Sequence, residues 1–218
     1  MAVFFAGLVA SALVTSALAQ TTPSARATAN VDLAARLKEV QANPKLTEEL
    51  YKTGQKVSLF CANCHGDNGN STKAEIPNLA GQNPAYLLEQ LRKFVDGRRR
   101  NEFMEGMIKA LTADEKVGMV LFYGRQNVLG HKAEANAALV PKGKEYFSKI
   151  CFRCHGDDGH GNETFARIAG QQPLYLSNTL KRYRAGTGGR TDPLMAASTK
   201  LMTDADLDAV VAFVASMP

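Results

Sequence analysis

The sequence is poor in the residues that stabilise many cores and secreted scaffolds. It contains no tryptophan, aromatic residues make up only 7%, and there are four cysteines among 218 residues. Four cysteines are too few for a disulfide-dense scaffold of this length. The net charge of +5 is small and spread along the chain, so it favours acidic partners without indicating nucleic-acid binding. A hydrophobic content of 45% is typical of a globular protein, which leaves the use of the cysteines to be explained.

Long apolar runs are missing beyond the N-terminus. Residues 1–19 carry no charged side chain and end in Ala17-Leu18-Ala19, which predicts a secretory signal peptide cleaved before Gln20. No Lys or Arg precedes the apolar stretch, which departs from the usual signal-peptide pattern, and an uncleaved membrane anchor is the alternative. Polar residues interrupt the stretch, whereas a membrane span needs about 20 predominantly apolar residues. We therefore expect an exported chain whose mature form has no transmembrane span.

The two halves of the chain repeat one another at a spacing of about 90 residues, which is too long for a solenoid and indicates two domains in tandem. Segment 61–67 recurs at 151–157, and segment 81–87 recurs at 170–176. The predicted organisation is a signal peptide over 1–19, an N-terminal tail over 20–44 with a possible helix at 31–40, a first domain over 45–130, and a linker with a second domain over 131–218.

The apolar spacing and the capping patterns of each half predict helices joined by loops. Leu87, Leu91 and Phe94 have the i, i+4, i+7 spacing of one helix face, and the second half repeats this pattern. A threonine followed three residues later by an acidic residue opens the last helix of each half, at Thr112 and Thr203. Because no segment alternates convincingly with a period of two, we predict an all-α fold.

All four cysteines fall in two Cys-x-x-Cys-His motifs, the attachment signature of c-type haem. The two thiols add across the vinyl groups of a haem, and the adjacent histidine binds the iron as the proximal ligand. The motifs therefore predict two covalently bound haem c groups. The residues concerned are Cys61, Cys64 and His65 in the first motif, and Cys151, Cys154 and His155 in the second.

Other uses of these cysteines fit the sequence less well. Cys64 and Cys151 are separated by far more than the roughly 15–20 residues usual within a zinc site. A thioredoxin-like motif expects a βαβ setting, which this sequence does not predict. Structural disulfides could form after export, but they leave the adjacent histidines unexplained.

The second axial ligand of each iron is predicted from the repeat. Met104 and Met195 stand at equivalent positions, seven residues before the Leu-Thr or Met-Thr pair that opens the last helix of each half. Met107 corresponds to Ser198, which cannot replace a thioether, although its closeness to Met104 keeps it as a competitor. The predicted axial pairs are His65 with Met104, and His155 with Met195.

The remaining candidate ligands have ordinary structural interpretations. His160 closely follows the second motif on the proximal side and His131 lies in the linker, so we expect both to be exposed to solvent. Met119 lies within an apolar run and Met217 lies at the C-terminus, so we expect packing roles or a frayed end.

Two further features are predicted to support the haems. The loop containing Pro77 is positioned to supply a backbone carbonyl to the ring of His65, with Ala166 at the equivalent position in the second half. Basic residues concentrate at 98–100 and at 181–190, in equivalent places after the same helix. They are interpreted as solvated loops that also neutralise propionates, with a docking patch for an acidic partner as the alternative.

These paired motifs resemble the dihaem cytochrome c4 family. The matching segments are CANCHGDNGN with CFRCHGDDGHGN, the two AGQxPxYL blocks, and the paired methionines, within residues 45–218. The resemblance implies two class I cytochrome c domains related by a pseudo-two-fold axis, with the haem propionates approaching each other between them. It also implies a periplasmic carrier of single electrons. The longer segment before Lys45 departs from the family and leaves the physiological partner open.

The predicted function is electron transfer and not catalysis, because both irons would carry two axial ligands and neither would have an open position. Expected partners are redox proteins: a membrane-bound oxidase, a cytochrome complex or a dehydrogenase. Two alternatives remain, a cytochrome subunit permanently attached to a dehydrogenase through residues 31–55, and a dihaem peroxidase. A peroxidase would need one iron whose distal position can open.

Overall fold

The structure is a computed structural model that describes Met1 and residues 31–129 and 136–218. The predicted signal peptide after Met1, the segment 20–30 and the linker residue His131 lie outside the described residues. The described residues form these α-helices: α1 Leu33–Gln41, α2 Pro44–His65, α3 Pro84–Val95, α4 Glu102–Ala110, α5 Ala113–Gly124, α6 Val140–Lys149, α7 Phe152–His155, α8 Pro173–Ala185, α9 Pro193–Thr199 and α10 Asp204–Ser216. Short 3-10 turns cover Asp67–Gly69 and Ala137–Leu139.

The two lobes have similar helices in the same order, although α2 of the first lobe corresponds to the separate α6 and α7 of the second. This arrangement confirms the predicted all-α fold in two tandem domains. Helices α2 to α5 form the first lobe, and α6 to α10 form the second. Within the described ranges no strand is formed, and one isolated antiparallel bridge between Arg99 and Arg190 ties the lobes together. None of the helices in this part of the chain is long and apolar enough to cross a membrane.

A close helix crossing forms the centre of each lobe. In the first lobe α2 crosses α5, and a Cβ atom added to Gly54 would lie 2.0 Å from the carbonyl oxygen of Gly118. In the second lobe α6 crosses α10, and a Cβ atom on Gly143 would lie 1.9 Å from the carbonyl oxygen of Ala209. Glycine is required at both positions because no side chain fits between the two backbones.

The last helix of each lobe begins with the predicted capping box. Thr112 Oγ1 accepts a hydrogen bond from the backbone N–H of Glu115, whose carboxylate accepts one from the Thr112 N–H. Thr203 and Asp206 make the same pair of bonds at the start of α10. These bonds satisfy N–H groups that have no partner within the helix and fix where each helix begins.

Helix α1 forms where the sequence predicts a possible helix, at 31–40 of the N-terminal tail, and it packs on the first lobe. Asp32 caps the helix, and Leu37 and Val40 are 3% and 0% exposed within the core of the first lobe. Arg36 pairs with Asp114 at the start of α5, with 2.9 Å between its Nε and the carboxylate. The first lobe therefore has a helix that the repeat does not supply to the second.

Candidate haem-binding sites

In each Cys-x-x-Cys-His motif the backbone has helical conformation, which places the three functional side chains on one face. Residues i, i+3 and i+4 project from the same side of a helix, so both thiols and the imidazole of a motif point together. In the first lobe the motif is the last turn of α2. Gly66 and Gly156 end the two motif helices with φ angles of 74° and 76°, which favour glycine.

The two motif histidines are oriented by backbone carbonyls, as predicted for the Pro77 loop. His65 Nδ1 lies 2.9 Å from the carbonyl oxygen of Pro77, and His155 Nδ1 lies 2.9 Å from that of Ala166. A carbonyl can only accept, so Nδ1 carries the proton and the Nε2 lone pair is left for a metal. Burial lowers the pKa of both histidines, which favours the neutral, ligating form.

All four cysteines of the two motifs are half-buried. Burial raises the pKa of Cys61, and it raises the pKa of Cys151 to about 11. Among the described residues no group of three or more His, Cys, Asp or Glu side chains is arranged to hold a metal ion.

Met104 and Met195 occupy the same local structure in their lobes. Each is the third residue of a short helix, and its backbone N–H donates to the side chain that caps that helix. Asn101 Oδ1 accepts from Met104 at 3.0 Å, and Asp192 Oδ1 accepts from Met195 at 3.1 Å. Both methionines are half-buried, whereas Met107 is 39% exposed.

Met119, Met217 and His160 lie in the environments that the sequence predicts for them. Met119 packs in the first core, and Met202 and Met217 pack in the second. His160 is exposed and lies 3.1 Å from the carboxylate of Asp158. The three methionines therefore contribute to the hydrophobic cores, and His160 lies at the surface.

A cavity of about 450 Å³ lies in the second lobe and extends to the first. Cys151, Cys154, His155 and Met195 line it together with apolar side chains from α8 and α10, including Leu176 and Val210. A porphyrin presents an apolar ring with two carboxylates at one edge, so apolar walls beside a Cys-Cys-His-Met set fit a covalently attached haem. The predicted ligands of the second lobe are thus brought to one cavity.

The cavity also contains two arginine side chains that could bind the carboxylates of a haem. Arg99 and Arg190, which are tied together by the bridge between the lobes, both line it. Within the described ranges neither guanidinium forms an ion pair with a carboxylate, and the Arg190 side chain donates to the hydroxyl of Tyr175. Burial, reinforced by the charge of Arg190, lowers the pKa of Arg99 to about 10. Two half-buried cations without acidic partners are suited to haem propionates.

The three arginines of the basic segment at 98–100 lie in different environments: the outer two are at the surface, and the middle one lines the cavity. Arg98 pairs with Asp96 at 2.6 Å, and Arg100 pairs with Glu105 at 2.8 Å, both at the surface. Arg99 instead stacks on Phe94, with 4.4 Å between its Cζ and the ring centroid. The middle residue therefore supports the propionate interpretation, and its surface neighbours are neutralised within the lobe.

Gln82 and Gln171, the glutamines of the two AGQ blocks, were not predicted to be functional. Gln82 forms two hydrogen bonds with the backbone of Arg167, at 2.8 Å from its Nε2 and 2.7 Å to its Oε1. Gln171 forms the equivalent pair with Asn78, at 3.0 Å and 2.7 Å. Each glutamine thus binds the opposite lobe. The repetition of the AGQ block was the only signal in the sequence.

Comparisons with known proteins identify the family and the fold of the chain. The family model for cytochrome c matches the chain twice, over residues 51–124 and 140–218. The thiosulfate dehydrogenase electron acceptor of Thiomonas intermedia is 32% identical, over 72% of this chain and 78% of that protein. Cytochrome c4 of Pseudomonas aeruginosa is 30% identical, over 74% of this chain and 85% of the relative. The crystal structure of reduced cytochrome c4 from Pseudomonas stutzeri superposes with a TM-score of 0.70 at 26% identity, over 77% of this chain and 98% of that one.

Proposed function

The chain belongs to the cytochrome c family, as a dihaem member of the cytochrome c4 group, and on that premise we propose how it holds its haems and which partners it serves. The chain carries two covalently bound haem c groups, and each haem iron supplies a one-electron Fe(II)/Fe(III) couple. In our proposal Cys61 with Cys64, and Cys151 with Cys154, form the thioether anchors. The proposed axial pairs are His65 with Met104, and His155 with Met195.

The observation that carries the axial assignment is the shared placement of the two methionines. Met104 and Met195 are each the third residue of a capped helix, and Met195 lines the same cavity as His155. With a histidine on one side and a methionine on the other, neither iron keeps an open position for a substrate. The protein is therefore an electron carrier, in agreement with the names of its relatives.

The proposed partner is a dehydrogenase that delivers electrons to this chain in the periplasm. A relative named as the electron acceptor of thiosulfate dehydrogenase supports this partner class. The uncharged apolar sequence of residues 1–19 supports export. In this role the lobes would receive electrons one at a time and pass them to a terminal acceptor through brief contacts.

The axial assignment is tested by near-infrared magnetic circular dichroism of the oxidised holoprotein. The Met104→Ala variant should lose one of two methionine-to-iron bands and keep the other. Met107→Ala is the matched control, since Met107 lies on the same helix and is exposed, and it should keep both bands. Retention of both bands in Met104→Ala, or loss of one in Met107→Ala, would contradict the assignment.

A further inference from the structure

One peptide group of the loop that orients His65 forms hydrogen bonds with both His65 and Gln171. The peptide that joins Pro77 to Asn78 has its carbonyl 2.9 Å from His65 Nδ1. The N–H of the same peptide donates to Gln171 Oε1 at 2.7 Å. A glutamine of the second lobe is therefore linked through one peptide to the histidine of the first.

An equivalent pair of hydrogen bonds links Gln82 of the first lobe to His155 of the second. The peptide that joins Ala166 to Arg167 has its carbonyl 2.9 Å from His155 Nδ1, and its N–H donates to Gln82 Oε1 at 2.7 Å. Gln82 and Gln171 are 6% and 7% exposed, so water does not compete strongly for these bonds. Each motif histidine is thus linked through one peptide group to a glutamine of the opposite lobe.

Hydrogen bonds in such a chain strengthen one another. An acceptor at the peptide N–H polarises the group and makes its carbonyl oxygen a better acceptor. A stronger bond from the histidine Nδ1–H raises the basicity of the ring as a ligand. A more basic ligand stabilises Fe(III) over Fe(II), which lowers the reduction potential of that haem.

We propose that Gln82 and Gln171 are positioning residues that tune the haem of the opposite lobe through the peptide that orients its proximal histidine. This proposal rests on the proposed function for the identity of the axial histidines. Docking of the lobes would then set both potentials, because each lobe supplies the acceptor that polarises the other's histidine contact.

The test is a redox titration of the holoprotein followed by proton NMR, in which each haem is assigned through the signals of its axial methionine. Gln171→Leu removes the acceptor of the Asn78 N–H. The reduction equilibrium constant of the first-lobe haem should rise about threefold, which corresponds to about 28 mV for a one-electron couple. The second-lobe haem should keep its potential. Gln82→Leu should produce the mirror result and gives an independent test if Gln171→Leu does not fold.

Two controls separate tuning from loss of packing. Asn83→Ala removes the side-chain hydrogen bonds from Asn83 to the carbonyls of His160 and Phe165 across the same interface. It keeps the backbone N–H that donates to Gln82 Oε1, so both potentials should stay unchanged. Gln171→Glu keeps an acceptor oxygen and should not raise the potential of the first-lobe haem.

The proposal is overturned if Gln171→Leu shifts the haem of its own lobe, shifts both haems alike, or shifts neither. It is also overturned if Gln171→Glu raises the first-lobe potential as much as Gln171→Leu does. Absence of axial-methionine signals in the unmodified protein would instead refute the proposed ligand set, so the two failures are distinguishable.

Discussion

The two lobes carry the same haem-binding motif on helices of different construction. In the first lobe α2 runs without interruption into the Cys-x-x-Cys-His motif, whereas in the second α6 ends at Lys149 and the motif begins a separate short helix. The carbonyl that orients the histidine comes from Pro77 in one lobe and from Ala166 in the other. The histidine-to-carbonyl distance is nevertheless 2.9 Å in both. The contacts nearest the cofactor are thus retained while the scaffold around them differs.

The outer surfaces differ as well. Beside the first motif, Leu59 and Phe60 are 71% and 73% exposed, whereas their counterparts in the second lobe are Lys149 and Ile150. Helix α1 covers part of the first lobe only. The lobes should therefore differ in stability more than in ligand geometry.

The largest expected effect comes from removing the anchors of one haem. The Cys151→Ala/Cys154→Ala variant should lose half the haem and most of the helical circular dichroism of the second lobe, because its ligand cavity would lose the macrocycle that fills it. Cys61→Ala/Cys64→Ala should also lose half the haem but retain more helix, since α1 extends the core of the first lobe. Equal helix loss in the two variants would contradict the proposed difference in stability.

An intermediate effect is expected at the helix crossing of the first lobe. Gly54→Ala would force a Cβ atom against the Gly118 carbonyl and should lower the free energy of unfolding by about 3 kcal/mol. Gly106→Ala is the matched control, since a Cβ atom there meets nothing within 4 Å. It should raise the free energy of unfolding by about 0.5–1 kcal/mol. Guanidinium denaturation of the holoprotein measures both, and a neutral Gly54→Ala would argue against so close a crossing.

The smallest effect is expected at the capping boxes. Thr112→Ala and Thr203→Ala should each lower the free energy of unfolding by about 1 kcal/mol, because each removes the acceptor of an otherwise unpaired helix N–H. Thr203→Ser keeps the hydroxyl and should recover most of the loss. If the two alanine variants differ greatly in cost, the capping contribution is not the same in the two lobes.

Local patterns predicted much of this molecule. The motifs, the capping boxes and the equivalence of Met104 with Met195 follow from spacing, because each depends on residues within one or two helical turns. The carbonyl of the Pro77 loop was predicted because a proximal histidine usually donates its second N–H to a nearby acceptor. These features need no knowledge of how the lobes dock.

The remaining features depend on docking. Three consecutive arginines look alike in sequence, and only the arrangement of the lobes directs Arg99 to the cavity while Arg98 and Arg100 pair at the surface. The partners of Gln82 and Gln171 lie in the opposite lobe, so no spacing within a lobe could identify them. No glycine or proline in the sequence marks the break between α6 and α7.

The most direct test of two histidine–methionine haems in an electron carrier is a spectroelectrochemical titration of the holoprotein, with peroxide added to the reduced form at the end. Two one-electron transitions, low-spin spectra throughout, and a reduced form that peroxide does not rapidly oxidise are the predicted result. A single transition, a high-spin haem, or rapid turnover of peroxide would contradict it.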